Sequence, residues 1–67
     1  MSDWKVFYRD DLDQDRTSRN IASKEDALAQ AGILHRRRRA EIYRIEGPDG
    51  NLVRKEEIMR WVSANAR

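Results

Sequence analysis

The residues able to do acid–base, nucleophilic or metal chemistry are few, and their spacing does not suit it. The chain has one histidine, His35, and no cysteine. A nucleophile needs a neighbouring base that a third group orients. One imidazole without a thiol supplies neither that arrangement nor a transition-metal ligand set. Gly32, Gly47 and Gly50 are the only glycines, so there is no glycine-rich phosphate loop and no G-x-S-x-G elbow. Asp11, Asp13 and Asp15 alternate like the first three ligands of a calcium loop. The sixth position of that loop needs glycine and is Arg16; the twelfth needs a bidentate glutamate and is Ala22. Both diagnostic places fail, so the stretch reads as a solvated acidic turn. No catalytic residue, metal site or cofactor is expected, and the chain is not expected to be an enzyme.

Two binding chemistries remain. The first is self-association or another protein partner. If Val6, Tyr8, Tyr43 and Ile45 share the covered face of a sheet, Phe7 and Ile42 fall on its other face and form an apolar patch for association. Short edge strands offer a second route, by strand addition. The alternative is nucleic-acid or polyanion binding through Arg36, Arg37, Arg38 and Arg39, extended by Arg44, Arg54 and Arg60, with Tyr43 or Phe7 as a stacking face. Against it, cations at a helix C-terminus are favoured by the helix dipole alone. Four consecutive side chains also point in different directions. The protein-interaction reading is therefore preferred.

These residues need elements to hold them. Trp4 to Arg9 is aromatic, β-branched and alternating, which predicts a first strand. The polar stretch from Asp10 to Asn20 is a long loop, or a turn followed by a short edge strand around Thr17 to Ile21; the hairpin is favoured because long unstructured loops are uncommon in compact domains. Ser23 and Asp26 form a capping box opening a helix whose Ala27, Leu28, Ala31 and Leu34 make one apolar stripe and which ends within Arg36 to Arg39. Gly32 weakens this helix, which close packing on the sheet would explain. Glu41 to Glu46 is the clearest strand, with Tyr43 and Ile45 on one side and Ile42 on the other. Gly47-Pro48-Asp49-Gly50 predicts a hairpin turn with Pro48 and Asp49 central, returning through Leu52 to Arg54. Glu56 and Glu57 then open a second helix, with Ile58, Trp61, Val62 and Ala66 on its apolar side, running to the end.

The expected fold is α+β: a small three- or four-stranded, mainly antiparallel sheet with two helices packed on one face, in a single domain over residues 1–67. The expected core is Trp4, Val6, Leu28, Ala31, Leu34, Tyr43, Ile45, Ile58, Trp61 and Val62. With 67 residues and hydrophobic and charged shares of 39% each, that core is small. Without cysteine it is held by packing alone. The net charge of +2 is unevenly spread: residues 1–35 carry seven acids and five bases, residues 36–67 five acids and nine bases. The mean hydropathy of −0.98 and the lack of a long apolar run give neither a secretory leader nor a membrane span. A cytoplasmic protein without a membrane partner is expected.

Three short patterns, W-x-V at Trp4 to Val6, S-K-E-x-A at Ser23 to Ala27 and G-x-D-G at Gly47 to Gly50, resemble those of small bacterial domains of unknown function. The resemblance implies an α+β fold and a bacterial source, and carries no activity.

Overall fold

A computed structural model describes residues 3–37 and 39–65; the expected roles of Arg38 and Ala66 lie outside the described residues. The chain runs β1 (Lys5–Arg9), β2 (Asp15–Thr17), α1 (Lys24–Arg37), β3 (Glu41–Glu46), β4 (Leu52–Arg54) and α2 (Lys55–Asn65). The four strands form one antiparallel sheet in the order β2-β1-β3-β4. Both helices pack on the same face, so the α+β architecture follows the sequence expectation.

The β1–β2 turn is tightened by one carboxylate. Asp10 accepts from the amides of Leu12 and Gln14, each at 2.9 Å, while Asp13 takes a left-handed φ of 61°. Aspartate tolerates that conformation and makes such local bonds readily. The acidic stretch is therefore spent on the turn, and the edge strand starts earlier than the expected Thr17 to Ile21. Beyond β2 the chain still follows β1. The Val6 amide donates to the Ser18 hydroxyl at 2.9 Å, and Trp4 and Ile21 exchange two backbone hydrogen bonds of 3.0 and 2.8 Å.

Ser23 caps α1, its hydroxyl accepting from the Asp26 amide at 3.1 Å. At the other end Arg39 turns the chain with a left-handed φ of 53°, and the Ala40 amide donates to the Leu34 carbonyl. The second hairpin turns one residue later than its composition suggests. Asp49 (φ 58°, ψ 33°) and Gly50 (φ 77°) are the central residues, and the Asn51 amide donates to the Pro48 carbonyl. Two left-handed central residues match the twist of the flanking strands, and Asp-Gly suits them.

The core is Val6, Ala27, Leu28, Ala31, Leu34, Ala40, Ile42, Ile45, Val53, Ile58 and Val62, with Trp4, Tyr8, Ile21, Met59 and Trp61 packed around it. Trp4 is half-buried against the backbone of Gly47. A Cβ there would lie 2.6 Å from the indole carbons, so glycine is required at that crossing. Gly32 is different. It faces Val62 of α2 rather than the sheet, and a Cβ would meet Val62 at an ordinary 3.6 Å. Gly32→Ala is therefore expected to raise stability by about 0.5–1 kcal/mol, since it removes the helix penalty of glycine without a clash. Urea denaturation reads this directly; a fall in the midpoint would show that the two helices cannot accept a methyl group.

Two core expectations are corrected by one irregularity. In the β1–β3 register Val6 lies opposite Ile45, Phe7 opposite Arg44 and Tyr8 opposite Ile42. Tyr43 has no partner and is the extra residue of a β-bulge. The bulge resets the alternation, so Ile42 and Ile45 both point into the core, 1% and 0% exposed. Tyr43 joins the opposite face together with Arg44. Ile42 is thus a core residue and not part of an exposed patch, and Tyr43 is a surface residue and not part of the core.

Candidate functional site: the open face of the sheet

With both helices behind the sheet, its other face is left open. The register places Lys5, Phe7 and Arg9 of β1 on this face, with Asp15 and Thr17 of β2. Glu41, Tyr43, Arg44 and Glu46 of β3 join them, and Leu52 and Arg54 of β4 complete it. Its two aromatic rings, Phe7 and Tyr43, stand on the two central strands and are half-buried. Leu52, 49% exposed, is the large aliphatic residue here.

Each ring lies beneath an arginine. The Arg44 guanidinium sits 4.3 Å from the Phe7 ring centre and that of Arg9 5.8 Å from the Tyr43 centre. At an exposed site, a contact such as that of Arg44 with Phe7 contributes about 0.5–1 kcal/mol. The Tyr43 hydroxyl donates to Asp15 at 2.9 Å, which also pairs with Arg9 at 3.6 Å. Partial burial of the ring, followed by this bond, raises the Tyr43 pKa above its ordinary value. Arg9 is held more firmly protonated, chiefly by the charge of Tyr43 when ionised.

The three acids of the face are each engaged: Asp15 as above, Glu46 with Arg44 at 2.5 Å, and Glu41 with Lys55 at 3.2 Å. The cations are not balanced in the same way. Neither Lys5 nor Arg54 has an ion pair among the described residues. Moreover, Arg44 and Arg54 lie directly opposite each other across β3 and β4. Like charges in that relation destabilise a sheet unless an anion lies between them.

The described residues of the expected arginine cluster stand on different elements. Arg36 and Arg37 end α1 and are exposed, and Arg38 lies outside the described residues. Arg39 stands after the helix beside a shallow depression also lined by Arg9, Asp10, Asp11, Asp13 and Glu41, four of these five being acids. Arg44 is on the open face, separated from these. The β1–β2 turn holds its acids close because Asp10 also pairs with Arg16. Sequence reasoning named Phe7, Tyr43, Arg44 and Arg54 but put Tyr43 on the covered face, and it missed Arg9 and the direct opposition of Arg44 and Arg54. The three-residue interval between Ile42 and Ile45, which strict alternation does not allow, was the available sign of the bulge.

Asp10 gives a pH dependence. Its pKa is lowered, first by the Gln14 amide and then by Arg16, from an ordinary value of 3.8. A carboxylate depressed in the folded state stabilises it fully above the unfolded value and stops doing so as pH falls through the lower folded value. The turn amides of Leu12 and Gln14 are therefore expected to keep their hydrogen-exchange protection at the ordinary carboxylate value of 3.8 and to lose it only at lower pH, and Asp10→Asn should abolish that dependence. Protection that is flat across this range in the unmodified chain would refute the role of Asp10.

A further concavity runs between the Ser18–Ile21 segment and α1, over Ile21, Ala29 and Ile33, the last 45% exposed. Its ionisable lining residues are Arg19 and Asp26. Among the described residues no helix is long and apolar enough to cross a membrane, and no group of three or more His, Cys, Asp or Glu is arranged to hold a metal ion. The fold and face together define an α+β domain with an aromatic and basic open sheet. Comparison with protein-family models, curated proteins and solved structures finds no match, so the functional reading rests on this geometry.

Proposed function

We propose that this chain is a non-enzymatic interaction domain that engages a macromolecular partner through the open face of its sheet. The observation that carries the reading is the one-sided packing: both helices cover one face, leaving two aromatic rings and four cations on the other. Aromatic side chains and arginine are the residue types enriched where surfaces bind partners. A second copy of the chain is a weaker occupant than the sequence suggests. The expected apolar patch of Phe7 and Ile42 loses Ile42 to the core, and the residues that remain around Phe7 are mostly charged. The acidic surroundings of Arg39 likewise weaken polyanion binding at the helix end.

The test is an amide NMR map under two perturbations, dilution of the protein and addition of a mixed-sequence oligonucleotide. The reading expects at least one of them to move the resonances of Phe7, Thr17, Tyr43, Arg44 and Leu52. Changes confined to Arg36 and Arg37, or to Ala29 and Ile33 in the groove, would contradict it, as would no change under either.

A further inference from the structure

We infer that the partner of the open face is a single-stranded nucleic acid, with bases stacked on Phe7 and Tyr43 and a phosphate held between Arg44 and Arg54. This rests on the reading above and assigns its partner class. Three observations converge. The two rings are on the central strands β1 and β3, a placement that lets successive unpaired bases stack along an open sheet. Arg44 and Arg54 are directly opposed across the sheet; in the free protein Glu46 pairs with Arg44 while Arg54 has no ion pair among the described residues, and a phosphate between the two guanidiniums takes the place of Glu46 and engages both. Lys5 has no ion pair among the described residues and lies on the same strand as Phe7, one residue beyond Val6, where it meets the continuing backbone.

The free protein already holds a planar cation on the face of Phe7, Arg44 at 4.3 Å. A base stack is worth more than that exposed contact. Base entry therefore displaces the guanidinium, which then turns to the phosphate. Stacking and charge neutralisation are thus linked through one residue. Duplexes present no free base face and are not expected to use the site.

The experiment is fluorescence anisotropy of a labelled mixed-sequence single strand, and of the same sequence as a duplex, against the full chain. The single strand is expected to bind more tightly than the duplex. With Lys5 neutralising one phosphate and Arg44 and Arg54 together neutralising another, affinity should fall roughly sevenfold between about 50 and 200 mM salt. Phe7→Ser should weaken binding by roughly five- to 150-fold. Lys5→Glu with Arg54→Glu, both at exposed positions, tests the charge without disturbing packing and should remove most of the salt dependence. Arg36→Ser with Arg37→Ser should leave affinity unchanged.

Equal binding of duplex and single strand would overturn the stacking assignment. So would loss of binding only in the Arg36 and Arg37 variant, which would move the site to the helix end. Absence of binding at low salt would overturn the nucleic-acid assignment in either case. If tumbling then slows with concentration and Phe7→Ser restores it, the open face stands as an interface between copies. If tumbling is constant as well, the open-face reading fails with it.

Discussion

Replacing Ile45 by Ala is expected to cost about 2–5 kcal/mol, the range for truncating a buried aliphatic side chain. Ile45 is fully buried at the middle of the sheet, opposite Val6 on β1 and Val53 on β4, so its side chain joins three strands to the helices. Small domains have little stability to spare, within a general range of about 5–15 kcal/mol. The variant should therefore show a sharply lower urea midpoint, with a measurable unfolded population in water. Trp61, which the sequence suggests as an anchor, is only half-buried at the rim of this core, and its truncation should cost less than that of Ile45. A loss below about 1 kcal/mol for Ile45→Ala would show that the sheet is not organised around this position.

Deleting Tyr43 is expected to leave the fold in place and to remove binding at the open face. In β3 the pairs Ile45 with Val6 and Ile42 with Tyr8 hold the strand to β1, and Tyr43 is the residue between them without a partner. Its removal leaves Ile42, Arg44 and Ile45 in plain alternation, in, out and in, which is the ordinary pattern of a half-buried strand. The core set of Ile42 and Ile45 is therefore retained. The open face loses one of its two stacking rings and its hydrogen bond to Asp15. Single-strand affinity should fall by roughly five- to 150-fold, as for loss of any one stacking platform, with far-ultraviolet circular dichroism unchanged. Unfolding of the deletion variant would mean that the bulge is needed for the twist of β3. Tyr43→Ser, which keeps the bulge, then isolates the ring's role in binding.

The helices were legible because their cues are local. Ser23 with Asp26 marks the start of α1, and the spacing of Ala27, Leu28, Ala31 and Leu34 marks its covered side. The Asp49-Gly50 turn was found but centred one residue early, since Pro48 suits the first central position of the common turn types while Asp-Gly suits the hairpin type actually formed. The faces of β3 were not legible by alternation, because one extra residue inverts every assignment on one side of it. That single shift exchanged Ile42 and Tyr43 between core and surface, and with them the character of the candidate site. The contact of Gly47 with Trp4 and the opposition of Arg44 and Arg54 depend on which strands are neighbours. That order is set by tertiary packing and leaves no local trace in the chain. The Arg36 to Arg39 run was conspicuous as sequence, yet Arg39 stands beside the acidic turn, which sequence distance conceals.

The central claim is that the open sheet face, and not the helix end, is where this domain meets its partner. It is tested most directly by mapping amide shifts while a mixed-sequence single-stranded oligonucleotide is titrated into labelled protein at low salt. The account predicts that Phe7, Thr17, Tyr43, Arg44 and Leu52 shift together along one binding curve that weakens with salt. Shifts restricted to Arg36 and Arg37, with Phe7 and Tyr43 unmoved, would contradict it.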